Sequence, residues 1–180
     1  MKIGLIGAPG AGKDDVVAHT LVKRHGFRRF AFADRIKEHY YKKIGITEEY
    51  FKSIRGTDRE QEIRNGLWTF SDVRRAECGP LCFINDVIND AKLCQNAVIT
   101  DIRTEDELTE VSKVADDIII VIRDLDDILM RDDLYFHGTR IQSYKLGNLP
   151  TFFNIFGELE HGRESFEEFY QRNLEENNGS

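Results

Sequence analysis

Hydrophobic and polar positions change rhythm several times along the chain. Lys2 to Ile6 (Lys-Ile-Gly-Leu-Ile) is a short apolar run of strand length, ended at once by the glycines from Gly7 to Gly12. A helical period follows from Asp14 to Arg24: Val17 precedes Leu21 by four residues and Ala18 precedes Val22 by four. Acids open that segment, Lys23 and Arg24 close it as a helix dipole favours, and Gly26 is its stop. Arg29 to Phe32 reads as a second short strand. Asp34 then reads as the cap of a helix reaching about Ile44, with Gly45 as its stop. Leu81, Ile84, Val87, Ile88 and Ala91 share one helical stripe. Ala97 to Thr100 is a buried strand ending at Asp101. Thr104 and Glu107 form a capping box for a helix with Leu108, Val111 and Ala115 on its inner face. Ile118 to Ile122 is β-branched throughout, as in a strand covered on both faces. Thr151 to Phe156 reads as a fifth strand, and Phe166, Phe169, Tyr170 and Leu174 mark a final helix.

Strands alternating with helices predict a doubly wound α/β fold, one domain over residues 1–180. Two segments break the alternation. Residues 46–79 are helical in character but irregular and highly charged, and 124–148 show no core period. Stretches of that length without sheet strands are candidates for binding and lid elements. Composition narrows the picture further. The chain has 41% hydrophobic and 32% charged residues, a globular mixture. Its net charge of -7 argues against a broad nucleic-acid face. No apolar run approaches the roughly 20 residues a membrane helix needs, and no signal peptide precedes the first glycines. Cys78, Cys82 and Cys94 read as reduced structural thiols without a zinc pattern, and the chain as cytoplasmic.

Gly7-Ala8-Pro9-Gly10-Ala11-Gly12-Lys13 fits the phosphate-binding loop G-x-x-x-x-G-K. Glycines let successive backbone N–H groups turn around phosphate oxygens, and the helix that follows presents its N-terminus to the same anion. Lys13 adds a mobile positive charge for the outer phosphates. Asp14 stands where a magnesium-facing hydroxyl is usual, and a carboxylate suits that ion too. Asp14 and Asp15 are alternatively only first-turn acids complementing the helix dipole.

The Gly-Lys-Asp ending of the loop, the segment Phe32-Ala33-Asp34-Arg35-Ile36-Lys37-Glu38, and Ile99-Thr100-Asp101-Ile102-Arg103, in that order, resemble the deoxynucleoside monophosphate kinases of bacteriophages. They are also similar to the animal-type phosphomevalonate kinases, and the loop by itself is similar to that of adenylate kinases. The resemblance spans roughly residues 3–123. It implies a P-loop kinase fold: a five-stranded parallel sheet flanked by helices, an acceptor-binding helical insertion at 46–79 and a lid at 124–148. It further implies ATP as co-substrate, Mg2+ as cofactor and a small phosphorylated acceptor, in the cytoplasm of a bacterium or a phage-infected host. A homodimer is among the assemblies this allows; nucleic-acid and membrane partners are not expected.

On that reading the loop residues Gly7 to Gly12 with Lys13, Asp14 and Asp15 bind ATP. Asp14 and Asp101 serve the metal. Asp101, at a strand end facing the ligand crevice of a parallel sheet, orders metal-bound water or the acceptor. Arg103, two residues on, suits bidentate contact with phosphate; its alternative is an ion pair with Glu105 or Glu107. Ala33, Asp34, Lys37, Arg74 and Arg75 fall on the acceptor side. Arg131 and Arg140 in the expected lid, and Arg123 at the end of the fourth strand, are further candidates for the transferring phosphoryl group. Trp68 and Phe70 serve the core or stack on a base. Three rival functions stay open: a kinase of another phosphorylated metabolite such as phosphomevalonate, a P-loop NTPase switch, and a nucleotide-binding module without catalysis. A GTPase is disfavoured, since in Ser112-Lys113-Val114-Ala115-Asp116 the acid falls one place late for the guanine motif.

Overall fold

The structure is a computed structural model of the 180-residue chain; it describes residues 1–8, 10–123, 141, 148–155 and 158–175. The expected lid, with Arg131 and Arg140, falls outside the described residues save for 141 and 148.

Five strands form one all-parallel sheet in the order β2-β3-β1-β4-β5. They are β1 (Lys2–Ile6), β2 (Arg28–Ala31), β3 (Ala97–Ile102), β4 (Asp117–Ile122) and β5 (Thr151–Phe153). The continuous apolar run of β4 is explained by cover on both faces. Ile119 and Val121 join Ile3, Leu5, Val98 and Phe152 in a core closed by Val17, Leu21 and Phe166. Ile118, Ile120 and Ile122, on the alternate positions, are buried as well. Gly4 allows the second face to close: a Cβ there would lie 2.8 Å from Val111 Cγ1 and 2.9 Å from Ile102 Cδ1. Val111 belongs to α6 (Glu105–Ser112), whose Thr104–Glu107 capping box is present as expected. Ala115 lies beyond the end of that helix.

Lys13–Ala18 forms a π-helical turn that runs into α1 (His19–His25), so the helix opens at the loop lysine itself. Gly26 (φ 67°) ends it. Phe166 and Tyr170 of α7 (Leu159–Tyr170) and Leu174 are buried, as the final stripe predicts. The fifth strand is shorter than its pattern, ending at Phe153, with Ile155 exposed.

By its internal contacts the chain divides into two compact units: Met1–Phe30 with Ile88–Ser180, and Ala31–Val87. The second holds α2 (Phe32–Ile44), α3 (Glu48–Ser53), α4 (Asp58–Cys78) and the first turns of α5 (Cys82–Lys92). Its details correct three expectations. Asp34 is not a cap: the helix begins two residues earlier, after Ala31, and Asp34 lies inside its first turn. The irregular 46–79 segment contains a 21-residue helix, α4, whose buried residues are Ile63 and Ser71; a helix so little buried carries no apolar stripe to read. Trp68 is 64% exposed and therefore no core residue, whereas Phe70 packs against Tyr40 and Phe83. The cysteines differ too: Cys78 and Cys82 are disulfide-bonded across the α4–α5 turn, not both reduced, and Cys94 is free.

Candidate functional site

The site begins where β1 stops. Gly7 leaves the strand with its backbone against β4, and a Cβ there would stand 2.5 Å from the Val121 carbonyl oxygen. Gly12 has φ 95°, a left-handed conformation that glycine adopts without steric cost, and it starts the π-helical turn.

A tally of the loop's carbonyls shows how the curve is held. Gly7 and Ala8 accept from Lys13 Nζ, both at 2.8 Å. Ala8 also accepts from the Ala11 amide at 3.2 Å. The Gly10 carbonyl accepts from Arg123 at 3.1 Å, and Ala11 from Asn154 Nδ2 at 2.9 Å. Gly12 accepts from the amides of Val16 and Val17 at 3.0 and 3.1 Å. Each of these carbonyls is thus directed at a protein donor. The first amides of the helix are the orphan donors that a helix N-terminus leaves, and they carry its positive dipole end. Carbonyls held by protein donors, beside helix-start amides that have no intrahelical acceptor, suit an anion nest.

Lys13 is 6% exposed. Burial pushes its ammonium below the ordinary lysine range; Asp101 and Asp14 oppose that shift and Arg103 adds to it. Three residues expected from sequence, Asp14, Asp101 and Arg103, are therefore within electrostatic reach of a fourth, Lys13. The two carboxylates are already engaged: Asp14 Oδ1 lies 2.6 Å from Arg29 Nε, and Asp101 Oδ1 lies 2.5 Å from Arg103. Arg103 pairs with Asp101, and its backbone amide donates to Glu107 Oε2 at 2.7 Å. Asp15 is exposed, and its carbonyl accepts from Arg163 at 3.0 Å.

Asp101 owes its place to a local irregularity. Gly4 pairs with Ile99 but Ile6 pairs with Ile102, so one extra residue enters β3 opposite Leu5. Asp101 takes up the mismatch with φ 74°, the only positive φ at a non-glycine residue among those described. Such a bulge re-aims a side chain beside a site, and an aspartate tolerates the left-handed region better than most residues.

The resemblance implies magnesium, and the donor set can be tested against that ion. Magnesium is held by one or two carboxylates together with water and phosphate oxygens, rather than by a protein cage. Asp14 and Asp101, both within electrostatic reach of Lys13, meet that requirement. Among the described residues no group of three or more His, Cys, Asp or Glu side chains could hold a metal alone.

The acceptor-side candidates lie in the other unit. Asp34 and Lys37 are 3.3 Å apart and line a cavity of about 410 Å³ with Tyr41, Lys42 and Glu48. Ala33 is half-buried in the same first turn of α2. Tyr41 is buried, its hydroxyl makes no hydrogen bond among the described residues, and burial raises its pKa. Arg74 pairs with Glu77 at 3.0 Å, and Arg75 with Asp72 at 3.9 Å.

Two participants escaped the sequence reading. Arg29 pairs with the loop acid Asp14, and Asn154 holds a loop carbonyl. The available signal for Asn154 was a lone polar residue within the apolar run from Thr151 to Phe156.

The chain matches no protein-family model and no curated protein in sequence. Among solved structures it is similar to TT1252 from Thermus thermophilus, with a TM-score of 0.52 and 14% identity over 97% of each chain. At that identity the likeness is one of fold. A sugar kinase from Janibacter matches with a TM-score of 0.40 and 14% identity, over 94% of this chain and 92% of that one; nothing further rests on it.

Proposed function

We propose that the protein is an ATP-dependent phosphotransferase that phosphorylates a (deoxy)nucleoside monophosphate to the diphosphate. One observation carries the reading. The carbonyls of Gly7, Ala8, Gly10, Ala11 and Gly12 are held by protein donors, a buried lysine is folded onto the loop, and Asp14, Asp101 and Arg103 lie within electrostatic reach of that lysine. Phosphoryl transfer asks little covalent chemistry of a protein. It asks that phosphates be positioned and their charge balanced. Loop amides cradle the donor phosphates. Lys13 exchanges two carbonyl contacts for phosphate oxygens, which returns to its ammonium the partners that burial denies it. Asp14 and Asp101 would hold magnesium, which supplies charge neutralisation to the phosphates. Arg103 exchanges its aspartate for phosphate, and Arg74, Arg75, Asp34 and Lys37 serve the acceptor. The choice of a nucleoside monophosphate rests on the sequence resemblance.

A coupled assay with ATP, magnesium and a panel of ribo- and deoxynucleoside monophosphates, with a control lacking any acceptor, tests this. Turnover that depends on one or more monophosphates is the expected result. ATP hydrolysis at equal rates with and without every acceptor would overturn the kinase reading.

A further inference from the structure

Asn154 stands directly after β5 and is 4% exposed. Its backbone amide donates to the Ile122 carbonyl at 2.7 Å, which fixes it to the end of β4. Its side chain reaches across 143 residues of sequence to donate to the Ala11 carbonyl at 2.9 Å. Only the amide nitrogen can donate there, so the oxygen is turned the other way. Two glycines make the room. A Cβ on Gly12 would lie 2.3 Å from Asn154 Nδ2, and one on Gly162 would lie 2.7 Å from Asn154 Oδ1. Asn154 Oδ1 makes no hydrogen bond among the described residues. A buried amide that satisfies one end and strands the other is a poor choice for stability alone.

We infer that Asn154 is a positioning residue for the phosphate-binding loop: wedged between Gly12 and Gly162, it ties the Ala11 carbonyl to the sheet and keeps the Gly12–Lys13 amides turned toward the ligand. This rests on the phosphate-loop reading above. The reason for a second anchor lies in Lys13. The lysine secures the Gly7 and Ala8 carbonyls. A phosphate that recruits the ammonium removes those ties just when the loop must keep its curve. The Asn154 bond needs no rearrangement at that moment, so it holds the loop in both states. It holds the loop by a carbonyl and not by an amide, and so acts on the ligand through backbone geometry alone.

The test is direct binding to the whole chain, by calorimetry with Mg-ATP and with inorganic tripolyphosphate, alongside thermal unfolding without ligand. Asn154→Ala should weaken both ligands about tenfold, the scale of one well-placed hydrogen bond. Asn154→Asp keeps the shape but sets a carboxylate against the Ala11 carbonyl. At pH 8 it should bind worse than Asn154→Ala, and that gap should close as pH falls and the acid regains a proton to donate. Gly162→Ala should also weaken binding, by displacing the amide, and should add nothing in an Asn154→Ala background. A residue that only supports the fold would lower the unfolding temperature and show neither the pH-dependent gap nor this non-additivity. Unchanged tripolyphosphate affinity in folded Asn154→Ala and Asn154→Asp would overturn the inference and leave the loop reading intact. Wild-type protein that binds neither ligand would overturn both.

Discussion

In the unit built on the sheet, three polar side chains of the site are tied to partners farther away in sequence. Asn154 reaches Ala11, Arg123 reaches Gly10 and Arg29 reaches Asp14. In the Ala31–Val87 unit the arginines pair three or four residues away on their own helix, as in Arg59–Glu62, Arg64–Glu60 and Arg74–Glu77. The first kind of contact joins distant parts of the chain; the Asn154 bond is buried and costly to break, because the Ala11 carbonyl would be orphaned, while the two arginine contacts are exposed. The second kind is a set of exposed helix pairs that water replaces readily. On the proposed function, the difference suits each unit to a different task. Triphosphate needs a rigid nest whose dipoles are already oriented. Charges meant to trade a carboxylate for an incoming phosphate are better left in weak, exchangeable pairs.

The largest expected effect breaks the comparison at its rigid end. Lys13→Met should cut phosphoryl transfer at least a hundredfold, roughly the loss of a transition-state contact of about 3 kcal/mol. Its stability should not fall in parallel. Burial lowers the folded pKa of Lys13 from an unfolded value of 10.5. Between those two values the unfolded chain binds the extra proton, so stability rises with pH there; the penalty for the buried charge is fully present below the folded pKa. Urea unfolding should therefore show wild type gaining on Lys13→Met as pH climbs toward 10.5. A variant with normal turnover, or a gap that widens with pH, contradicts this account of the lysine.

Second in size is the bulge. Replacing Asp101 removes a carboxylate from beside Lys13 and also changes a strained backbone. Asp101→Gly and Asp101→Asn should each lower kcat on the order of tenfold or more. Their stabilities should diverge from that of Asp101→Ala, because glycine accepts φ 74° freely and alanine does not. We expect Asp101→Ala to be the least stable of the three by about 1 kcal/mol. Equal stability of the alanine and glycine variants would mean the backbone relaxes and the bulge is not imposed by the sheet.

These two predictions also mark what the chain made legible. The loop, β1, β4 and the capping box at Thr104 were readable because each is a local pattern: glycine spacing, an apolar run, or a pair of residues three apart. The bulge was not, since a one-residue shift in β3 exists only relative to β1. Asn154 fell inside the strand expected over Thr151 to Phe156, and only the fold brings it beside Ala11. The length of α4 was hidden for the opposite reason: with only Ile63 and Ser71 buried, its sequence carries charge rather than period. Asp34 misled as a cap because an aspartate two places into a helix resembles one that precedes it.

Asp14 and Asp15 offer a sharper cut within one turn. Both are exposed acids at a helix start, but only Asp14 is electrostatically coupled to Lys13. Asp14→Ala should raise the magnesium concentration for half-maximal activity several-fold, while Asp15→Ala should shift it little. Titrating magnesium at fixed ATP gives the answer, and equal shifts would return both residues to the helix dipole.

The smallest effect on the fold is expected in the other unit. Arg75 lies 3.9 Å from Asp72 and is one-third exposed, so Arg75→Ala should change unfolding free energy by no more than about 0.5 kcal/mol. If that exchangeable pair serves an acceptor phosphate, the same substitution should raise the acceptor KM about tenfold and leave the KM for ATP nearly unchanged. Arg103→Ala should share the acceptor effect with a larger loss of kcat, because its partner Asp101 stands beside Lys13. Steady-state kinetics with each substrate varied in turn separate the two. A rise in the ATP KM for Arg75→Ala, with the acceptor KM unmoved, would place a helix arginine on the nucleotide instead. The division between a rigid phosphate nest and an exchangeable acceptor surface would then fail.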